Sequence, residues 1–293
     1  MRGEWVMKLS CLPVSYFSAI QAGKMSIREW AAAARSVGLD SIDLSIMLVP
    51  NHTQTYLEKL KNDLCAEKMP ITMITTYPDF THPDPVQRER EMDYTRYDIA
   101  LASQLGAKYV RLVAGQAHPE TSLRDGVSWV VESFKQLEKP AERHKIQLLY
   151  ENHSKPSAWK YFDFSQPTAV YLEVVEKIAS TGIRLNFDTA NPVIFGDDVL
   201  PLLEKVISRV ETLHVQDNAA KGVMQPVVPG HGIVPFAQIF TLLKAHGFDG
   251  WLCIEEGSCT GHEGVKESVK FVRALWDAPQ SPDCASSLFS KTR

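Results

Sequence analysis

Residues 210–217 read Val-Glu-Thr-Leu-His-Val-Gln-Asp, a short run that has the form of one β-strand with a histidine near its C-terminal end. Three other strand-like runs in the C-terminal half end in an acidic residue. They are IQLLYENH (146–153), IRLNFDTAN (183–191) and WLCIEEG (251–257). Together the four runs offer Glu151, Asp188, His214 and Glu255. Laid side by side and parallel, they bring these four side chains to one end of a sheet. Burying three carboxylates together is costly unless a cation compensates. Three carboxylates and one imidazole at one point therefore form a divalent-metal site.

Working outward from this stretch, the same unit recurs along the chain. Earlier apolar runs are KLSCLPVSYF (8–17), SIDLSIMLV (41–49), ITMITTYP (71–78) and YVRLVAG (109–115). Amphipathic segments lie between the runs, and helices are expected near 27–37, 53–69, 84–105, 122–144, 166–180, 197–208, 234–247 and 262–277. Ser26-Ile-Arg-Glu29 has the form of a capping box, and Ile27, Trp30, Ala31, Ala34 and Val37 follow at helical spacing. The eight strand starts lie 27 to 41 residues apart. Strict alternation of this kind means βαβ units and a parallel sheet. Eight repeats predict a single (β/α)8 barrel over residues 8–277, with a flexible tail from 278 to 293. The competing arrangement, an open doubly wound sheet, lacks its sequence mark: no GxGxxG or Walker loop follows the first strand.

Composition bounds the function. The chain has 293 residues, of which 44% are hydrophobic and 23% charged, as in ordinary globular domains. The net charge of −4 gives no electrostatic reason to expect nucleic acid or an anionic membrane as a partner. Cys11, Cys65, Cys253, Cys259 and Cys284 are scattered without CxxC spacing, which points to reduced thiols and a cytoplasmic location rather than a disulfide scaffold. The N-terminus carries Glu4 and no continuous apolar stretch, so no signal peptide is expected.

Each candidate has a plain structural reading as well. A lone acid at a strand end serves as a helix cap or an ion-pair partner, and a lone histidine in a strand as a hydrogen-bonded core residue. The joint occurrence on four consecutive strands, at the same end, favours the metal site. Strand alternation lets only one of Glu255 and Glu256 face the barrel axis, and Glu255 is expected there. Oxygen-rich ligation with one imidazole suits Mn²⁺ above all, with Mg²⁺, Co²⁺ or Zn²⁺ as alternatives. Substrate-binding candidates are His153, two residues after Glu151, and Arg111, a buried charge that needs a partner such as Glu151. Asn191, His231 between two glycines, and Trp159, which with Phe162 offers aromatic faces, complete that group. Asp217 either orients His214 from behind or caps the loop that follows.

Five motifs carry a resemblance. Tyr150-Glu-Asn-His153, Phe187-Asp-Thr-Ala-Asn191, Leu213-His-Val-Gln-Asp217, Pro229-Gly-His-Gly232 and Gly250-Trp-Leu-Cys-Ile-Glu255 occur in order over residues 146–257. Together they resemble the xylose isomerase-like sugar isomerase/epimerase superfamily, whose members include ketose 3-epimerases, hydroxypyruvate isomerase and inosose isomerases or dehydratases. That resemblance implies a (β/α)8 barrel and one divalent metal held by Glu151, Asp188, His214 and Glu255. It implies Glu151 and Glu255 as the acid–base pair, with the metal stabilising a cis-enediolate next to a carbonyl. It also implies a small sugar or polyol substrate and, as is common in the family, a homodimer or homotetramer.

The chain departs from the family pattern at three places. Asn191 stands where many ketose epimerases and several isomerases have histidine. Ala220, beside Lys221, stands where the epimerases have arginine, and Pro-Gly-His-Gly replaces Pro-Gly-Glu-Gly. The DNA-repair endonucleases of the superfamily need further histidines. Asn191 and the histidine-free strands three and four do not supply them. The expected function is thus a metal-dependent isomerase or epimerase. The alternatives are a metal-dependent dehydratase, a lyase of an inosose- or dehydroshikimate-like substrate, and a non-catalytic sugar-binding barrel.

Overall fold

Eight of the apolar runs form parallel strands. They are β1 (Lys8–Leu12), β2 (Ile42–Ser45), β3 (Ile71–Thr75), β4 (Tyr109–Leu112), β5 (Gln147–Glu151), β6 (Arg184–Asp188), β7 (Val210–Val215) and β10 (Trp251–Glu255). A short antiparallel ribbon, β8 (Asp217–Asn218) with β9 (Pro226–Val227), lies in the loop after β7. The computed structural model describes residues 7–156 and 158–279. The N-terminal stretch before Met7 and the expected tail from residue 280 on lie outside the described residues.

The eight strands neighbour one another in the order β1, β10, β7, β6, β5, β4, β3, β2. The sheet then curls so that β1 meets β2. Asp40 N–H donates to the Leu9 carbonyl, Leu9 N–H donates to the Asp40 carboxylate, and Ser10 Oγ donates to Asp43 Oδ2 at 2.8 Å. The result is a single (β/α)8 barrel, as the alternation predicts. Around it run α1 (Phe17–Gln21), α2 (Ile27–Ser36), α3 (Gln54–Ala66), α4 (Pro85–Leu105) and α5 (Leu123–His144). They are followed by α6 (Thr168–Lys177), α7 (Asn191–Phe195), α8 (Val199–Val206), α9 (Phe236–Ala245) and α10 (His262–Asp277). None of these described helices is long and apolar enough to cross a membrane.

Local chemistry explains the boundaries. The capping box at α2 is formed: Glu29 N–H donates to Ser26 Oγ, and Ser26 N–H donates to the Glu29 carboxylate at 2.7 Å. The second apolar run does not extend as a strand to Val49. Ser45 Oγ accepts Met47 N–H and starts a 3₁₀ turn at Ile46–Leu48. The polar loop after β7 is not wholly irregular, because it folds back on itself as β8 and β9. The segment after β6 gives two short helices where one was expected, since Pro192 opens α7 and Gly196, at φ +108°, ends it.

Alternation along the strands separates two environments. Outward residues such as Leu9, Val110, Leu148, Leu185, Leu213 and Leu252 join the continuous apolar core beneath the helices. Inward residues Met73, Tyr109, Leu149 and Cys253 form a small apolar floor inside the barrel. Above that floor, toward the C-terminal ends of the strands, the inward positions turn polar and charged. α5 is seated on the outer core through Phe134, whose ring meets Phe80 at 5.9 Å and Tyr150 at 5.0 Å. Phe134→Ala is expected to cost about 3–5 kcal/mol, read as a lower urea midpoint with unchanged slope. An unchanged midpoint would show that α5 does not depend on this ring cluster.

Candidate metal centre and active site

Glu151, Asp188 and Glu255 are the last residues of β5, β6 and β10, and His214 is the fifth residue of the six-residue β7. β6 pairs Asp188 with His214, and β7 pairs His214 with Cys253, two residues before Glu255. Parallel pairing and alternation therefore aim the four side chains at one point. One ligand atom from each lies within 4.8 Å of the others. His214 Nδ1 is 2.8 Å from Glu151 Oε1 and 3.0 Å from Glu255 Oε2. Glu256 faces the other way. It accepts Ser258 N–H at 2.7 Å and a hydrogen bond from Ser15 Oγ.

The electrostatics of this cluster fit a cation. Burial, reinforced by Glu255 and Glu151, pushes the Asp188 carboxyl well above the usual carboxylate range. For Glu151, burial acts upward, but the Arg111 guanidinium and His214 outweigh it and hold the carboxyl at about 2. Burial alone would lower His214, yet the facing Glu151 and Glu255 raise it well above the ordinary imidazole value. Asp188 Oδ1 accepts Ala190 N–H at 2.8 Å and Asn191 N–H at 2.6 Å, while its Oδ2 is buried with no hydrogen-bond partner among the described residues. That bare oxygen belongs to a donor set of three carboxylates and one imidazole. The set suits Mn²⁺, Mg²⁺, Co²⁺ or Zn²⁺.

Arg111 is buried and resolves its own charge locally. Its Nε lies 2.9 Å from Glu151 Oε2, its Nη1 donates to the Thr76 carbonyl at 2.9 Å, and its guanidinium stacks 4.6 Å from the Tyr77 ring. Between the two partners open to it from the sequence, substrate or Glu151, the structure places it on Glu151. His153 stands beside the site, edge-on to Tyr77 at 6.4 Å and to Trp159 at 6.0 Å, with Asp163 at 3.6 Å from its Nδ1. Asn191 gives its side-chain amide to the Asn152 carbonyl at 3.0 Å. Trp159 is buried, whereas its loop neighbour Phe162 is exposed.

Asp217 takes the second of its two expected roles, as the cap of the loop that follows, and His231 lies away from the cluster. Asp217 does not orient His214. Its carboxylate accepts the N–H groups of Gly230 at 2.9 Å, Gly232 at 2.8 Å and Val234 at 3.2 Å, so it pins the Pro-Gly-His-Gly loop. A Cβ at Gly232 would collide with that carboxylate, which explains glycine there. His231 is not drawn to the four-residue cluster either. It is half-exposed, and its Nε2 lies 2.9 Å from Glu267 of α10, an exposed pair on the outer helix layer.

The sequence reading missed several supporting residues. Asn152 clamps Asp188 from both sides, donating to its carbonyl at 2.9 Å and accepting its N–H at 2.8 Å. Its position next to Glu151 was visible, but its outward direction and partner were not. Tyr77, at the end of the third apolar run, offered an aromatic signal. Asp79 gathers the loops after β3 and β4, accepting Gln116 N–H at 2.9 Å and lying 2.7 Å from His118 Nε2. No motif marks it.

Comparison with known proteins fixes the lineage. The family model described as xylose isomerase-like TIM barrel matches residues 31–275. The chain belongs to that family. Within the family, an inosose dehydratase of Bacillus thuringiensis (strain Al Hakam) is 26% identical over 135 residues, covering 41% of this chain and 43% of that protein. The chain thus aligns with less than half the length of the curated relatives it matches. Among solved structures, the probable 3-DHS dehydratase involved in petrobactin synthesis from Bacillus anthracis superposes with a TM-score of 0.73 at 17% identity, covering 91% of this chain and 99% of that one. The D-psicose 3-epimerase of Clostridium cellulolyticum H10 superposes with a TM-score of 0.74 at 15% identity, covering 93% and 100%. These xylose isomerase-like barrels share the fold of this chain and include both epimerases and dehydratases.

The Arg111–Glu151 pair yields a stability test. Removing one partner of a buried ion pair costs about 3 kcal/mol or more. Arg111→Met in metal-free protein should show that loss in urea unfolding at pH 7. Glu151 is held below its unfolded value, so its contribution is complete above about pH 4.5 and fades as pH falls toward 2. The gap between wild type and variant should narrow over that window; a constant gap would remove the ion pair as its cause.

Proposed function

We propose that the chain is a divalent-metal-dependent isomerase or epimerase of a sugar or keto-polyol, working by proton transfer next to a carbonyl. The observation that supports this best is the convergence of Glu151 and Glu255 on His214, with Asp188, at the C-terminal mouth of the barrel. Glu151, Asp188, His214 and Glu255 would hold the metal, with Mn²⁺ favoured by the donor set. When bound, the cation supplies electrostatic stabilisation of negative charge developing on the carbonyl oxygen.

The remaining work falls to the side chains. Glu151 enters from β5 with one oxygen fixed by Arg111, and Glu255 enters from β10 with its side chain one-fifth exposed toward the mouth. One carboxylate takes the proton from the carbon beside the carbonyl, and the other delivers a proton from the opposite side, as epimerisation requires. Return of the proton to the adjacent carbon gives isomerisation instead. His153, Trp159 and Tyr77 offer a polar and aromatic wall beside this point. Asn191 contributes through its bond to Asn152 and its N–H on Asp188. Among the described residues Cys11, Cys65, Cys253 and Cys259 are free thiols, which favours a cytoplasmic setting.

The names of the relatives favour a second reading: a dehydratase of an inosose- or dehydroshikimate-like substrate. Both reactions begin with removal of the same proton, and the dehydratase then expels a neighbouring hydroxyl as water. Incubation in deuterated water separates them. An isomerase or epimerase returns substrate isomers carrying deuterium at the adjacent carbon. A dehydratase yields product lighter by one water.

Glu151→Gln and Glu255→Gln are each expected to lower turnover at least about a hundredfold while the fold is retained. Wild-type rates in either variant would remove that residue from the chemistry. Elemental analysis of protein purified without added metal or chelator should find about one divalent ion per chain, lost in Asp188→Ala. Burial and the neighbouring carboxylates push Asp188 up, and the facing Glu151 and Glu255 push His214 up, so Mn²⁺ binding is expected to be accompanied by proton release. Calorimetry in buffers of different ionisation enthalpy measures that release, and zero release would contradict the four-ligand set.

A further inference from the structure

Three inward polar atoms beneath the ligand cluster have no hydrogen-bond partner among the described residues: Asp43 Oδ1, Asn186 Nδ2 and His214 Nε2. All three residues are fully buried. Buried polar atoms are almost always paired with protein or ordered water, so three orphans in one region call for an explanation.

The register places them together. In an eight-stranded barrel, alternate strands contribute the side chains of one inward layer. Asp43 of β2, Arg111 of β4, Asn186 of β6 and Cys253 of β10 fall in one such layer. Glu151 and His214, from the intervening β5 and β7, lie one step above it. Asp43 and Asn186 therefore face each other across the barrel axis, directly below the imidazole.

Each residue is already fixed on its other side. Ser10 Oγ donates to Asp43 Oδ2 at 2.8 Å. Thr212 Oγ1 donates to Asn186 Oδ1 at 2.7 Å, which leaves the amide nitrogen as the uncommitted end of that side chain. His214 Nδ1 is committed to Glu151 and Glu255. Burial pushes the Asp43 carboxyl up to about 6, and the nearby His214 acts against that rise, as do the Ser10 hydroxyl, the Cys253 thiol and the Met73 N–H beside the carboxylate. The unassigned atoms are two donors and one acceptor, a set that satisfies one buried water.

We propose that Asp43 is a positioning residue for His214: its Oδ1, through one water shared with Asn186, accepts the Nε2–H of the imidazole and so keeps the Nδ1 lone pair turned to the metal. This rests on the four-ligand reading given above. A carboxylate behind a metal-bound imidazole fixes the tautomer and ring orientation, and its loss costs metal affinity. Asp43 touches neither substrate nor metal in this account.

The test uses the full chain and Asp43→Asn, which keeps the shape and removes the charge. Mn²⁺ affinity is measured by calorimetry on metal-free protein, and the His214 Nε2–H signal by ¹⁵N–¹H spectroscopy on Zn²⁺-loaded protein. Asp43→Asn should bind Mn²⁺ about tenfold or more weakly, with unchanged circular dichroism. Its Nε2–H resonance should move upfield and exchange faster with solvent. Equal affinity with an unmoved resonance overturns the proposal while leaving the metal site standing. A wild-type protein that binds no metal overturns the four-ligand reading itself. If Asp43→Asn does not fold, the wild-type signal decides: a downfield, exchange-protected Nε2–H supports the proposal, and a freely exchanging one overturns it.

Discussion

Negative charge confined at one point governs this molecule. Three carboxylates meet at the barrel mouth, all of them on strands whose direction the fold dictates. Such a cluster persists in a low-dielectric interior only when opposite charge and hydrogen bonds surround it. The surroundings follow from that requirement. Arg111 must be buried beside Glu151, so its guanidinium needs the Thr76 carbonyl and the Tyr77 ring. Asp188 needs donors, so the chain turns at once into α7 and presents the N–H groups of Ala190 and Asn191. Asn152 then fixes the peptide of Asp188 itself.

The barrel tolerates this because cohesion and chemistry occupy different faces of the same strands. Outward side chains form the apolar layer under the helices, and that layer carries most of the burial. Inward side chains are free to be polar, apart from the small floor around Met73, Tyr109, Leu149 and Cys253. A β-strand offers both faces at no extra chain length. Substitution at the mouth therefore changes reactivity with little effect on the outer core, which is consistent with one fold serving epimerases and dehydratases.

Most of this was legible in the sequence, for a physical reason. Period-two alternation and helix caps are local, so the eight strands, the capping box at Ser26 and Glu29, and the end of α4 at Leu105 could be read directly. The three acids and one histidine at strand ends could be read because a parallel barrel turns sequence position into spatial position. What escaped reading depended on partners distant in sequence. Asp217 was open to two roles, behind His214 or as the cap of the following loop, and the three loop N–H groups that decide for the second lie 13 to 17 residues away. His231 looked poised over the mouth, but Glu267, far along the chain, holds it outside. Asp79 carries no motif, and the motif that contains Asn152 does not reveal its partner, since a hydrogen bond to a segment distant in sequence leaves no periodic trace.

The loop after β5, which carries Trp159, is keyed into the helical shell. Phe164 on that loop lies over Gly126 of α5, where any side chain would strike its ring. Its N–H also donates to the Gly115 carbonyl at 2.7 Å. A glycine notch in an outer helix thus serves as the socket for a loop at the mouth. The loop is consequently not an interchangeable part. Transplanted into a related barrel whose fifth helix lacks the notch, it would lose its seat, so loop and helix can be exchanged only as one piece.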